Sequence, residues 1–375
     1  MAKLSYLRFV PKGPVPDIDL FASAFTNRGF CEIDPDGEVK TSVGWVRDDN
    51  PFATEWPDGV FDGHLVAVKL RVDTLKIPAK TMREHLRADE REHMRTLARA
   101  LTRPEKDQIK ADVLRYLRRR TMPKMLLVDV LWDLNTGIVR LFSTSRPVAG
   151  FFVELFERTF SVGVQILGPM TVLAHRGVSD DDIQAIAETP LDTFRLGSRI
   201  DMRAQIPPAH ADRFANLGTS FLLWLWYHAD RNAGSIDVAD VSVDVADVSV
   251  ALTERIVLES DGVTAETCAI SSCAPSDAKE ARAALRTGKH VARARLSIYD
   301  GQNIYDTTVD GSTLVCSSVK LPAVLDSDNL EERLLLLDTF ELCLDQLFVT
   351  FARLHLDPVA WPAEAAAIAD WKHND

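Results

Sequence analysis

KMLLVDVLWDLNTGIVRLFST, running from Lys124 to Thr144, decides the fold class. Lys124 to Trp132 is rich in Val, Leu and Trp, as a strand is, and Asn135-Thr136-Gly137 is a turn signal. Ile138 to Thr144 returns as a second strand, so the stretch reads as an antiparallel hairpin. A parallel pair would need a longer crossover between its strands. Upstream, His64 to Asp73 alternates: Val66, Val68, Leu70 and Val72 face one side, Lys69, Arg71 and Asp73 the other. That is a half-buried strand. Downstream, Pro147 opens a helix through Phe160, and Val164 to Leu167 reads as another strand. Strands and helices alternate in pieces around an antiparallel pair, which predicts an α+β fold with mixed or antiparallel sheets rather than a doubly wound parallel one.

The remainder extends this pattern. Lys3 to Val10 reads as a strand. Asp17 is a candidate N-cap for a helix with Phe21, Ala24 and Phe25 on one face, stopped at Gly29. Residues 79 to 120 are helical in pattern, with Pro104 in the first turn of a second helix. The polar, proline-containing stretch 174–215 is the expected boundary between an N-terminal domain, 1–173, and a C-terminal one, 216–375. Leu217 to Asp230 is a helix whose Trp224, Trp226 and Tyr227 are expected in the core rather than as base-stacking platforms. DVADVSV occurs twice in tandem, at 237–243 and 244–250, and its alternating Val predicts β structure. Asp277 to Thr287 predicts a helix ended by Gly288, and His290 to Val319 predicts three strands. Leu330 to Leu356 has apolar residues on nearly every face, so it is expected to be deeply buried or shared with another subunit.

Composition bounds the class. The chain has 375 residues, 46% of them hydrophobic and 26% charged, with a net charge of -12. It is long enough to bury a sizeable core. The five cysteines are scattered, fit no zinc spacing, and are expected as reduced core residues. No signal peptide is visible, and the longest apolar run, Phe221 to Tyr227, is far short of the ~20 residues of a spanning helix. A cytoplasmic protein with no membrane partner is the expectation.

The average charge hides an asymmetry. Lys76 to Lys124 contains fifteen Lys/Arg and seven Asp/Glu, a balance of +8, so the rest of the chain carries -20. Arg83, Arg87, Arg91, Arg95, Arg99 and Arg103 recur every four residues, which on a helix makes a ridge that winds by about 40° per step. Met82, Leu86, Met94, Leu97 and Leu101 supply a candidate buried stripe beside it. Glu84 and Glu92, three residues before Arg87 and Arg95, predict internal pairs. Lys106, Lys110, Arg115, Arg118, Arg119, Arg120 and Lys124 continue the basic character. These thirteen residues are the candidate DNA-binding set, since guanidinium forks grip phosphate oxygens bidentately without reading sequence. A solvated face laced with ion pairs, or a surface for an acidic protein partner, would use the same residues. No catalytic constellation emerges. Lys289 follows Gly288, but Ala283 stands where a P-loop needs its first Gly. The acidic residues assemble no two-metal site by spacing, so no cofactor or metal is expected and a metal-dependent exonuclease is the least favoured reading.

Several segments, in order, resemble the RdgC family of recombination-associated proteins. They are Gly44-Trp45-Val46, Leu75-Lys76-Ile77-Pro78, Arg103-Pro104-Glu105-Lys106-Asp107-Gln108-Ile109-Lys110, and Asp112-Val113-Leu114. The hairpin from Met125 to Thr144 and the helix from Pro147 follow. The resemblance covers roughly residues 1–170. It implies a homodimer closing as a ring around duplex DNA, no sequence preference, association with the nucleoid, and restraint of RecA-driven recombination. The family's Pro-Arg-Ala-Phe-Ser-Arg segment reads Arg119-Arg120-Thr121-Met122-Pro123-Lys124 here, with Met122 in place of the aromatic. The second half departs from the family.

Overall fold

A computed structural model describes residues 3–14, 17–57, 59, 61–188, 210–231, 234–237, 247–260, 266–323 and 330–373. The fold is α+β, with two sheets whose strands pair antiparallel, and ten α-helices among the described residues. Packing divides the chain into two compact units. One is Phe9–Val164; the other joins Met1–Arg8 to Gln165–Asp375. The expected boundary at 174–215 falls inside the second unit. Its described part carries the end of helix α5 (Pro169–His175) and helix α6 (Asp180–Glu188). Residues 189–209 lie outside the description.

The first sheet has the order β2-β4-β5-β6-β1-β7, with β3 (Phe61–Asp62) paired to β4. Its strands are β1 (Leu7–Pro11), β2 (Thr41–Arg47), β4 (Leu65–Thr74), β5 (Lys124–Asp133), β6 (Val139–Leu141) and β7 (Val164–Ile166). The hairpin read from Lys124 to Thr144 is β5–β6, with Val130 opposite Leu141 and Trp132 opposite Val139. On β4 the apolar face is as expected, with Val66, Val68, Leu70 and Val72 all buried, but the strand is not half-buried throughout: Arg71 and Asp73 on the opposite face are buried as well, Arg71 donating to Asp73 at 3.0 and 2.7 Å. The four apolar side chains pack with an aromatic core made of Phe21 and Phe25 from helix α1 (Phe21–Asn27), Phe152, Phe156 and Phe160 from helix α4 (Arg146–Phe160), Trp45 from β2 and Trp132 from β5. Trp45 is fixed at both ends. Its ring meets Phe25 edge-on at 5.3 Å, and its Nε1 donates to Thr159 Oγ1 at 2.8 Å. Its neighbour Gly44 must be glycine, because a Cβ there would collide with the Phe30 backbone.

The second sheet has the order β10-β9-β11-β12-β13, with β8 (Ser235–Asp237) paired to β9. These strands are β9 (Asp247–Glu259), β10 (Thr267–Ser271), β11 (His290–Tyr299), β12 (Ile304–Asp310) and β13 (Cys316–Lys320). The three strands expected between His290 and Val319 are β11–β13. Helix α7 (His210–Arg231) buries Phe221, Trp224 and Trp226, so these aromatics are core, as expected. Helix α8 (Lys279–Arg286) stops before Gly288, whose φ is +92°. Of the DVADVSV tandem, only Asp237 and Asp247–Val250 lie among the described residues, in β8 and β9. Helix α9 (Leu330–Leu356) is buried on most faces from Phe340 to Ala352, and helix α10 (Ala360–His373) completes the chain. All five cysteines are free, but only Cys316 and Cys343 are core residues. Cys31 and Cys273 are exposed, which corrects the expectation of a core role for all five.

Two acids interrupt the apolar face of α9, and burial makes them bind cations. Asp345 accepts two hydrogen bonds from Arg8, at 2.9 and 2.7 Å, and two from Arg176, at 3.1 and 2.8 Å. Glu341 lies 3.7 Å from Arg8. Burial alone would raise the Asp345 carboxyl; the two guanidinium groups override it and hold the group below its ordinary value.

Candidate nucleic-acid interface

Helix α2 (Ala79–Leu97) and helix α3 (Arg103–Arg120) form the basic hairpin. On α3, Ile109, Val113 and Leu117 repeat every four residues and form a buried stripe. Leu101 joins them from the connecting turn, and Ile77, Met82 and Leu86 pack against the cluster. No residue of α2 is fully buried. The expected stripe on α2 is therefore only its first half, since Met94 and Leu97 are exposed.

The continuous ridge of six arginines is also corrected. Ala98 adopts a left-handed conformation, φ +49°, and ends α2 before Arg99. A new helix start competes for the next residues. Glu105 accepts from the Thr102 backbone N–H at 2.8 Å and from its hydroxyl at 2.9 Å, and Pro104 lies in the first turn. Arg99 folds back onto Glu105, donating at 2.6 and 3.0 Å. Together the Arg99 guanidinium and the Thr102 N–H bring the Glu105 carboxyl down to about 2. Arg83, Arg87, Arg91 and Arg95 remain as a ridge on α2. It sweeps about 120° of the helix, on the side away from Met82 and Leu86.

Arg118 departs most from the sequence reading. It is buried, and it donates to three loop carbonyls: Pro35 at 3.0 Å, Asp34 at 3.2 Å and Val39 at 2.7 Å. It anchors the hairpin base instead of facing solvent. Its neighbour Arg119 is exposed but forks onto Asp36, at 2.9 and 2.8 Å, which lowers the Asp36 carboxyl. Arg120 lies over the Tyr116 ring at 4.3 Å, and Tyr116 meets His85 of α2. The triplet read as lightly compensated is thus largely engaged within the protein. The acceptor loop 34–39 and Tyr116 are parts of the site that the sequence reading missed.

The other twelve candidates are exposed. Arg87 pairs with Glu84 and Arg95 with Glu92, as the spacing predicts, and Arg115 pairs with Asp112. Among the described residues, Arg83, Arg91, Arg103, Lys106, Lys110 and Lys124 make no ion pair. Arg103, Lys106 and Lys110, spaced three and four apart, share one flank of α3. The arrangement offers fixed point charges and free guanidinium forks to a polyanion, with no acid, base or nucleophile set among them.

Among the described residues, no group of three or more His, Cys, Asp or Glu is placed to hold a metal ion, and no helix is long and apolar enough to cross a membrane. Comparison with known proteins leaves the site to be read on its own chemistry: no protein-family model and no curated protein matches the chain.

Proposed function

We propose that the α2–α3 hairpin binds double-stranded DNA through its phosphates, without sequence preference. One observation carries this reading. Five exposed cations without ion-pair partners among the described residues, Arg83, Arg91, Arg103, Lys106 and Lys110, stand on one helical hairpin, with Lys124 just beyond it at the start of β5, in a chain whose remainder is strongly acidic. Phosphate contacts position a protein on a duplex and release counterions, so such binding is salt-dependent. The acidic remainder repels DNA elsewhere and confines it to the hairpin.

The resemblance to the RdgC family extends the proposal. In that reading the protein is a homodimer that closes as a ring on the duplex, associates with the nucleoid, and modulates RecA-dependent recombination. A second reading rests on exposed Met94, Leu97, Leu114 and Met122, which lie among the cations. Apolar side chains beside arginines suit a protein interface, so an acidic protein partner is the alternative.

The test is binding to a random-sequence labelled duplex across a salt series, in EDTA and in magnesium. Tight binding in EDTA, linear on a log-log salt plot, is expected. Arg91→Glu with Lys110→Glu should weaken it for all sequences alike and lower the salt slope by about 1 per lost phosphate contact. No binding at low salt, or unchanged binding by the double variant, overturns the proposal. Magnesium-dependent loss of the duplex would instead mark a nuclease.

A further inference from the structure

Strand β5 is covered on one edge along its whole length and on the other along half. Towards β4 it pairs from Lys124 to Asp133. Towards β6 it pairs only from Val130 to Trp132, and the Phe142 N–H still donates to the Asp129 carbonyl at 3.0 Å. The chain then turns away, because the Ser143 N–H folds back onto the Leu141 carbonyl at 2.7 Å. Backbone groups along a strand point to its two edges in alternation. Asp129 and Asp133 bond on the β6 side, so Met125 and Leu127 point to that side too, past the end of β6. Among the described residues, neither makes a hydrogen bond there. The side chains are as open as the backbone: Met125, Leu126 and Leu127 are 37%, 40% and 36% exposed. Lys124 beside them is exposed and makes no ion pair among the described residues. Sheets usually blunt such an edge with charge, proline or a bulge. Here one lysine stands at its start and three apolar residues follow.

We propose that this edge binds an extended peptide as an added antiparallel strand, whose sequence runs apolar-x-apolar-x-acid from N- to C-terminus. The N–H and C=O groups of Met125 and Leu127 supply the main-chain hydrogen bonds, and the side chains supply the selectivity. The two apolar residues of the peptide stand opposite Val128 and Leu126, and its acid stands opposite Lys124. The intervening residues meet Leu127 and Met125 on the other face. A second copy of β5 fits less well. Antiparallel pairing of two such edges joins outward-pointing residues to each other, hence odd to odd and even to even. Lys124 would then face Leu126, Val128 or Val130 of the copy, all apolar. The acid at the far end of the free segment, Asp129, is already held by Lys69 at 2.6 Å. Self-pairing therefore leaves Lys124 without an acid, and the peptide supplies one.

The test titrates the dye-labelled peptide Val-Thr-Val-Thr-Glu-amide with the full chain and reads fluorescence anisotropy. Saturable one-to-one binding below about 1 mM is expected. Methylating the backbone nitrogens of the two Thr, which face Met125 and Leu127, should weaken binding at least about tenfold. Methylating those of the two Val, which face away, should leave it unchanged. Lys124→Glu should weaken binding about threefold to tenfold, and a peptide ending in Lys in place of Glu should restore it on that variant. Such a rescue does not arise from loss of structure, and Lys124 is exposed. The Met125 and Leu127 amides should gain protection from hydrogen exchange when the peptide binds. No saturation at about 1 mM, equal loss from both methylations, or no rescue by the Lys peptide would overturn the assignment. So would a dimer in sedimentation whose Met125 and Leu127 amides are protected without peptide, since the edge would then belong to a second copy.

Discussion

The α2–α3 hairpin and α9 place charge in opposite surroundings. On the hairpin most cations face water and are paired, where paired at all, at the surface. On α9, Glu341 and Asp345 are almost wholly buried and meet Arg8 and Arg176. An exposed ion pair contributes about 0–1 kcal/mol, because water and side-chain entropy offset the attraction. Removing one member of a buried pair costs about 3–5 kcal/mol, because the other charge is left uncompensated. Charge on the hairpin is therefore available for an outside partner, whereas charge on α9 is committed to the fold.

The largest effect expected from breaking this contrast is at Asp345. Asp345→Ala should lower unfolding stability by about 3–5 kcal/mol, read by denaturant titration, since Arg8 and Arg176 both lose their acceptor. The pH dependence has a fixed sign. The folded carboxyl titrates below its ordinary value of 3.8, so its contribution is complete above that value. It is lost as pH falls through the lower, folded value. Asp345→Ala should flatten the acid limb of stability against pH; an unchanged limb would place the acid sensitivity elsewhere.

Next in size is Arg118, the hairpin cation that behaves like those at α9. Arg118→Ala should cost about 2–3 kcal/mol, because loop carbonyls lose charge-assisted donors. If Arg118 instead faced the duplex, the variant would keep its stability and lose DNA affinity. The smallest effect is expected at Glu84. Glu84→Gln removes the surface pair with Arg87 and should change stability by only about 0.2–0.5 kcal/mol, while freeing Arg87 for phosphate and raising DNA affinity at low salt. A larger stability loss would mean that the hairpin surface is less solvated than the structure indicates.

The contrast also shows what was legible beforehand. The apolar face of β4 and the β5–β6 turn were visible because each depends on neighbours close in sequence, whereas the burial of Arg71 and Asp73 on the other face of β4 was not. The Glu84–Arg87 and Glu92–Arg95 pairs, and the bounds of α9, were visible too. Arg118 was not legible. It is flanked by Arg119 and Arg120, and nothing local distinguishes the three. Its acceptors lie 79 to 84 residues away in the loop before β2. The end of α2 was half visible. Thr102 and Glu105 form a capping signal, but the left-handed residue is Ala98, where a glycine would have announced the stop. The partners of Asp345 were hidden for the same reason as those of Arg118: Arg8 is 337 residues away.

The hairpin's four fully buried apolar side chains have a consequence for how the molecule breathes. So few buried groups make α2 and α3 a cooperative unit of low local stability, one that opens while the sheets stay closed. Its amides should exchange with solvent ahead of those in β4 and β5. A polyanion that binds only the closed hairpin would slow that exchange in proportion to its occupancy. Hydrogen exchange thus gives a readout of hairpin occupancy that needs no label on the ligand.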